Sequence, residues 1–435
     1  MWRSRVGALT ARAMQSPLVK SSGIYVSTNV LNRAFPFFLI PILTRYLSPA
    51  DFGRAAMFTI AVNLTTPIVG LNTDTAVARQ FFERDEIDFP NYIANCLYVL
   101  VATAAFAALV LLLFAEPVGR LLSLPPEWIW AVVAVAIGKY LMSVVLVLFQ
   151  VRDKARSYGA FFLSQTLLAF ALSIILIVGY GWGWQGRVVG EVFSVVLMAI
   201  VGLVMLVRGR WIKPGVNKRY LEHALKFGGG LVPHLYGGQL IVASDRILVN
   251  TLIGVAAAGL YTVGAQIAMI ITVLESSFNQ AWTPWLFGRL KLNDPSVLVG
   301  IRKFSRIYNV SIIGVALSLG LLSPWLLGFF VGRDFRSASI YIFWLAIGNA
   351  FGGMYKMVVN PIFYMNKTHL LAMVTFTSGV LNVGLAYFLI KRHGAVGAAQ
   401  AAAASLFVSY VLTSLLSKSL LKKWVREATA TPSVA

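Results

Sequence analysis

Four cationic side chains lie inside long apolar stretches of this chain: Arg33, Lys139, Arg246 and Lys356. If those stretches cross a membrane, a charge facing lipid at mid-bilayer costs at least ~2.5–3.5 kcal/mol, so such a residue usually faces a cavity or a partner. Arginine binds a phosphate-type anion through paired donors, and lysine binds one as a point charge. For Arg33 and Lys139, which lie deepest, two interpretations stay open: an anion-binding site, or a structural cation held in an internal ion pair or by backbone carbonyl oxygens.

The other two cations lie nearer the ends of their apolar stretches. Lys356 lies in the counterpart of the stretch that carries Lys139, which suggests cations on both sides of one cleft, but snorkelling to the headgroups would also satisfy it. Arg246 lies close to the outer end of its stretch, beside Asp245. Snorkelling or bracing is the favoured role there, and a place in the same binding cleft is the alternative.

Three carboxylates in or near apolar stretches are candidates for coupling to an ion, either Na⁺ or H⁺: Asp74, Asp245 and Glu275. Uphill transport needs a group whose occupancy biases one conformation over another, and a carboxylate at membrane depth can be such a group. Pro36 and Pro41 each remove a helix hydrogen bond, which predicts a bend in the first apolar stretch.

Signatures of enzyme chemistry are missing from the sequence. There is no P-loop, no paired-histidine zinc motif and no GxSxG elbow. The four histidines are scattered, and the one cysteine, Cys96, lies in an apolar run and has no partner for a disulfide within the chain. We therefore expect no catalytic residues, no metal site and no cofactor.

The elements that hold these residues follow from composition. The chain is 58% hydrophobic and 12% charged, and its apolar residues fall in blocks of about 20, the number that a helix needs to cross ~30 Å of hydrocarbon. The sequence predicts an all-α integral membrane protein with twelve transmembrane helices, at 22–44, 54–73, 92–115, 128–150, 158–180, 188–207, 227–250, 259–281, 305–327, 338–363, 369–390 and 397–416.

The basic residues between the spans predict the orientation. Loops on alternate sides carry 25 and 8 lysines and arginines, and the richer side is cytoplasmic by the positive-inside rule. Both termini are then cytoplasmic. The net charge of +21 reports this topology and does not call for a nucleic-acid partner.

The two halves of the chain resemble each other. LSPADFGRAA at 47–56 matches IGVAAAGLYT at 253–262, and the prolines and glycines of two further pairs of turns match at similar offsets. With six spans in each half, the repeat is parallel and predicts two pseudo-symmetric six-helix bundles around a V-shaped central cleft. The predicted parts are an N-tail (1–21), an N-lobe (22–207), a basic linker (208–226), a C-lobe (227–416) and a C-tail (417–435).

Three segments resemble the multidrug/oligosaccharidyl-lipid/polysaccharide (MOP) exporter superfamily, and within it the polysaccharide-biosynthesis branch: LNRAFPFFLIPILTRYLSPADFG at 31–53, SDRILVNTLIGVAAAGLYTVG at 244–264 and GAVGAA at 394–399. The resemblance implies a flippase for an undecaprenyl-diphosphate-linked oligosaccharide in a bacterial inner membrane. The substrate diphosphate would then be the anion for the buried cations, and the partners would include a polysaccharide polymerase and a chain-length regulator.

Two other functions remain open. An ion-coupled multidrug exporter of the same superfamily would need an acidic, aromatic cavity, which Arg33 and Lys139 argue against. A membrane-embedded glycan polymerase or ligase usually carries its catalytic groups in a large loop outside the membrane, and no loop between the predicted spans exceeds about 20 residues.

Overall fold

The computed structural model describes residues 17–291, 296–365 and 367–430, which are almost entirely helical and contain no strand. This confirms the predicted all-α class. The α-helices are α1 (Pro17–Tyr46), α2 (Pro49–Thr65), α3 (Thr73–Gln80), α4 (Phe89–Leu113), α5 (Ala115–Leu122), α6 (Ile129–Val151), α7 (Ala155–Ile174), α8 (Gly183–Arg208), α9 (Lys218–Leu252), α10 (Val255–Leu290), α11 (Val297–Phe330), α12 (Ser339–Tyr364), α13 (Thr368–His393) and α14 (Val396–Ala430).

The helices agree with a multi-pass membrane protein. Among the described residues, ten helices are long and apolar enough to cross a membrane, and an eleventh crossing results if the bent pair Pro49–Thr65 and Val69–Glu83 counts as one. The predicted span at 227–250 lies within α9, which has 35 residues but is not among the ten. Each of the twelve predicted spans therefore coincides with a helix or with the bent pair.

The second predicted span, 54–73, is not one continuous helix. Helix α2 ends at Thr65, and the chain bends by 57° before α3. Gly70 and Leu71 have positive φ angles of 80° and 47°, and a Cβ on Gly70 would come within 2.2 Å of the Tyr140 ring. Only glycine tolerates both the backbone angle and the close approach. The expectation of an unbroken helix here is wrong for this reason.

Helix α2 begins at a capping box that lies within the LSPADFG motif. The Ser48 hydroxyl accepts a hydrogen bond from the Asp51 backbone N–H at 3.1 Å, and the Asp51 carboxylate accepts from the Ser48 backbone N–H at 3.4 Å. Pro49 occupies the first turn, where its missing N–H costs nothing. The motif is thus a local stop-and-start signal between α1 and α2.

The chain divides into two compact units, residues 1–240 and 241–435, and the division falls inside α9. In the first unit, α6 packs against α2, α3, α4 and α8; in the second unit, α12 packs against α10, α11 and α14. The lobes predicted at 22–207 and 227–416 stay a prediction, as does the linker at 208–226.

The first half of that predicted linker, residues 209–217, is bound to the start of α4 within the first unit. Asn91 donates hydrogen bonds to the carbonyl oxygens of Lys213 (3.1 Å) and Gly215 (2.8 Å). Asn95, which is fully buried, donates to the Gly215 carbonyl at 3.0 Å and accepts from the Asn217 N–H at 2.9 Å. The 209–217 segment is therefore an ordered part of this unit.

An aromatic contact and an ion pair hold the same segment. The Trp211 ring packs edge-on against Phe89, with centroids 6.1 Å apart, and the Arg152 guanidinium lies 4.9 Å from the Trp211 ring centre. Lys213 Nζ lies 2.6 Å from Asp88 Oδ2. Trp211 and Lys213 are thus attached to the start of α4 and to Arg152, which follows α6.

Both members of the Lys213–Asp88 pair stay charged over a wide pH range. The hydrogen bond from Lys213 lowers the pKa of Asp88, and the same bond raises the pKa of Lys213. Because its pKa is lowered on folding, Asp88 stabilises the folded protein above its unfolded-state pKa, and this stabilisation is lost as the pH falls through its folded-state pKa. Because its pKa is raised on folding, Lys213 stabilises the folded protein below its unfolded-state pKa, and this stabilisation is lost as the pH rises through its folded-state pKa. The pair is intact at neutral pH.

Asn95→Ala should release the 209–217 segment. The substitution removes the acceptor of the Asn217 N–H and one of the two donors to the Gly215 carbonyl, which keeps its bond from Asn91. The loss should cost about 0.5–1.5 kcal/mol, or roughly 2- to 10-fold in the opening equilibrium. We expect faster tryptic cleavage after Arg210, which mass spectrometry of the fragments would measure. Gln150→Ala, at an exposed position in the last turn of α6, is the matched control. Cleavage of the Asn95 variant at the wild-type rate would show that other contacts hold the segment.

Candidate functional site

The first helix carries three of the predicted site residues. Arg33 belongs to α1, but its side chain lies outside the described part of the structure. Pro36 and Pro41 are half-buried, and α1 runs as one helix from Pro17 to Tyr46 through both of them. The role of Arg33 in binding and the predicted bend at the prolines therefore stay predictions.

Lys139 on α6 is in an ion pair within the first unit. Its Nζ lies 3.3 Å from Oε1 of Glu191 on α8, and the two side chains are 32% and 13% exposed. This is the internal ion pair that was one of the two interpretations of Lys139. Because a third of the lysine side chain is still accessible, the pair leaves room for a further anion at Lys139.

A second cation lies next to the same carboxylate. Arg187 precedes Glu191 by one turn of α8, the i,i+4 spacing at which side chains are neighbours. Its guanidinium donates to Ser173 Oγ at 3.1 Å and lies 5.5 Å from the ring centre of Phe170. Lys139, Arg187 and Glu191 therefore form a group with net charge +1, which favours an anion. We did not predict Glu191 and Arg187 as site residues, and their four-residue spacing is the signal that could have found them.

Asp74, the candidate coupling carboxylate of the first unit, lies at the start of α3, directly after the bend. It is half-buried and accepts a hydrogen bond from Ser143 on α6. The preceding Thr73 hydroxyl is hydrogen-bonded to the Tyr140 hydroxyl on the same helix. The free N–H groups at the start of α3 also favour a negative charge here. The bend thus places Asp74, on α3, against α6, the helix that also carries Lys139.

Asp245 is the centre of a buried polar network in the second unit. It is 8% exposed. Its carboxylate accepts from Asn382 Nδ2 at 2.9 Å and from the Tyr261 hydroxyl at 3.3 Å, and Ser405 Oγ donates to Asn382 Oδ1 at 2.9 Å. These residues come from α9, α10, α13 and α14, so the network joins four helices. Arg246 follows Asp245 on α9 and is half-buried.

Lys356 and Glu275, predicted for different roles, are brought together in the second unit. Lys356 Nζ on α12 lies 2.9 Å from Glu275 Oε1 on α10 and donates to Ser276 Oγ at 3.0 Å. The lysine side chain is 32% exposed and the glutamate 5%. Snorkelling alone does not account for Lys356, because its ammonium is held by a buried carboxylate.

This pair is part of a polar seam between α10 and α12. Asn349 donates to the Ala268 carbonyl at 2.9 Å, and Asn360 donates to Asn279 Oδ1 at 2.8 Å. In all three contacts the partners are 81 residues apart in the chain, so the two helices run parallel in a constant register. Asn349, Lys356 and Asn360 recur at helical spacing, which is the pattern in the sequence that indicates this face.

The structure does not gather the predicted residues at one place. Lys139 and Asp74 belong to the first unit, whereas Asp245, Arg246, Glu275 and Lys356 belong to the second. No group of three or more His, Cys, Asp or Glu side chains that could hold a metal ion occurs in the described part of the chain. The arrangement consists of charged pairs and carboxylates held inside helices.

Helices of this number and length, with charged pairs between them, define a polytopic helical membrane protein. The chain belongs to the polysaccharide biosynthesis protein family, whose model matches residues 18–288, more than half of its length. The match agrees with the predicted resemblance to the polysaccharide-biosynthesis branch.

Two relatives agree with this assignment. The chain is 27% identical over 377 residues to an uncharacterized membrane protein of Haemophilus influenzae, covering 84% of this chain and 89% of that protein. It is 25% identical over 323 residues to the succinoglycan biosynthesis transport protein ExoT of Rhizobium meliloti, covering 66% of this chain and 63% of that one.

Solved structures show the same fold. The lipid II flippase MurJ in an inward closed conformation aligns with a TM-score of 0.72 and 13% identity, over 93% of this chain and 90% of that one. An inward-facing multidrug resistance MATE family transporter of the MOP superfamily aligns with a TM-score of 0.71 and 16% identity, over 92% and 96%. At these identities the likeness concerns the fold alone.

Lys356→Met should destabilise the protein more than removal of both charges does. Breaking a buried ion pair costs ~3–5 kcal/mol, and we expect about 3 because Lys356 is partly exposed. The Glu275→Gln/Lys356→Met double variant leaves no unpaired charge and should lose less than the sum of the two single variants. Thermal unfolding in detergent is the measurement.

Arg120→Ala is the control for this cycle, since its ion pair with Glu116 is exposed on both sides (79% and 82%) and should contribute little. Strict additivity of the Glu275 and Lys356 variants would show that the two side chains are not coupled.

Proposed function

We propose that the protein is a flippase that moves an undecaprenyl-diphosphate-linked oligosaccharide from the cytoplasmic to the periplasmic leaflet by alternating access, in surface or exopolysaccharide biosynthesis. The observation that carries the proposal is the cationic group of Lys139 and Arg187 around the single carboxylate of Glu191. An excess of positive charge inside apolar helices is costly unless an anion offsets it. The family, the name of the ExoT relative and the fold shared with the MurJ flippase support the same function.

The diphosphate is the part of such a substrate that suits these residues. Lys139 and Lys356 are each one-third exposed although each is ion-paired. A lysine ammonium has three donors, so an ion-paired lysine still has a donor with which a phosphate oxygen can make contact. Arg33 and Arg246 complete the proposed set of diphosphate- and glycan-binding residues.

The carboxylates are proposed to couple transport to an ion gradient. Asp74, Asp245 and Glu275 lie at three different places within the two units, and each is held by donors from a neighbouring helix. Occupancy by Na⁺ or H⁺ would change those hydrogen bonds and so favour one helix arrangement over another.

The setting of the proposal is a bacterial inner membrane with both termini in the cytoplasm, supported by the 25 basic residues on one side against 8 on the other. A polysaccharide polymerase and a chain-length regulator are the proposed partners, because they would use the translocated oligosaccharide.

A multidrug exporter is the second candidate function. Its support is the fold shared with the MATE transporter and the buried carboxylate of Asp245, which could bind an organic cation. The positive group around Glu191 would repel such a substrate. The two functions therefore differ in the sign of charge that the first unit should bind.

Reconstitution in vesicles with a fluorescent undecaprenyl-diphosphate glycan tests the proposal. Protection of the glycan from an external reagent reports translocation. Arg33→Ala and Lys139→Ala should each slow it roughly tenfold or more, the effect of losing one charge-assisted hydrogen bond worth about 1.5–3 kcal/mol. Arg120→Ala, at an exposed ion pair, should leave the rate unchanged.

Two outcomes would contradict the proposal. Unchanged translocation in both the Arg33 and the Lys139 variants would refute the cationic binding site. Export of an organic cation with no movement of glycan would favour the multidrug exporter instead.

A further inference from the structure

The carboxylate of Glu275 is only half satisfied. Its Oε1 is paired with Lys356, but its Oε2 is buried and has no hydrogen-bond partner among the described residues. A Cβ on Gly353 would lie 2.9 Å from Oε2 and 2.7 Å from the Tyr308 hydroxyl. Only glycine at this position leaves room for both groups. A buried carboxylate oxygen beside a hydroxyl, with no donor of its own, is a position where a proton can be accommodated.

Lys356 is the accessible member of the pair. It is 32% exposed, against 5% for Glu275, and two of its three donors are used by Glu275 and Ser276. An incoming anion can therefore reach the lysine but not the glutamate. The anion and the carboxylate then compete for one ammonium.

We propose that Lys356 passes from Glu275 to the diphosphate of the substrate when the substrate binds, and that Glu275 takes up one proton in the same step. This inference rests on the proposed flippase function and deepens it by naming the proton acceptor. The carboxylate gains a proton from water to become a neutral carboxylic acid, and the negative charge of the diphosphate replaces its charge beside Lys356. No other reactant is needed.

The surroundings of Glu275 favour this exchange. The polar neighbours of Glu275 are Ser276 on the same helix, Tyr308 on α11 and Lys356 on α12. In the described part of the chain, Lys356 is the one charged group that pairs with Glu275. Without Lys356 the carboxylate would be a buried, unpaired charge, which proteins avoid by protonation.

The ion pair of the first unit is expected to behave differently. Glu191 has Arg187 one turn away in addition to Lys139. If a diphosphate took Lys139, Glu191 would keep a cation nearby and would stay ionised. Glu191 is therefore the matched control for Glu275, since each glutamate pairs with a one-third exposed lysine and is itself the less exposed partner (13% and 5%).

The test measures binding of farnesyl diphosphate to the full-length protein in detergent between pH 8 and 9, where the ligand is fully ionised. If binding takes up protons, the wild-type Kd should rise with pH, by about tenfold per pH unit for each proton taken up. A pH indicator in weak buffer should report the same number of protons consumed per ligand. Glu275→Gln should bind at least as tightly, with no proton uptake and no pH slope. Glu191→Gln should keep the wild-type slope.

The wild-type protein decides the inference even if a variant fails to fold. A wild-type Kd that does not change with pH, or a slope that persists in a folded Glu275→Gln protein, would overturn it. If the diphosphate binds and the glycan is translocated without proton uptake, this inference fails and the flippase function stands. If the wild-type protein binds no diphosphate, both fail. Inorganic diphosphate run in parallel separates recognition of the headgroup from binding of the isoprenoid tail.

Discussion

A charge inside the hydrocarbon region has to be matched by another charge or by donors, and this constraint organises both units of the protein. Lys139 and Lys356 lie within transmembrane helices, and each is paired with a glutamate of another helix. Isolated, each of the four groups would be expensive to bury. Each pair therefore fixes which two helices pack together, and at which height along their axes.

The two pairs satisfy this constraint in different ways. Glu191 is shared between Lys139 and Arg187 and leaves one positive charge in excess, whereas Glu275 and Lys356 form a neutral pair with an unsatisfied carboxylate oxygen. The first arrangement is the proposed anion-binding group, and the second is the proposed site of proton uptake.

Polar backbone groups inside the membrane also need partners. The bend before α3 exposes backbone groups, and they find partners nearby: the Gly70 N–H donates to Thr103 Oγ1 at 2.8 Å, and the Thr73 hydroxyl donates to the Gly70 carbonyl at 2.8 Å. A helix can be interrupted at membrane depth only where such partners exist. In the 209–217 segment, too, polar backbone groups have side-chain partners, since Asn91 and Asn95 donate to the Gly215 carbonyl.

The sequence by itself determined the class of protein, the approximate spans and the set of buried charges. These follow from the length of apolar blocks and from the cost of charge in lipid, which are properties of each segment alone. Only the tertiary structure decided that Lys139 pairs with Glu191, that Lys356 pairs with Glu275, and that the second span breaks at Gly70. Those outcomes depend on which helix faces lie against each other and in what register, and residues so far apart in the chain carry no local record of that contact.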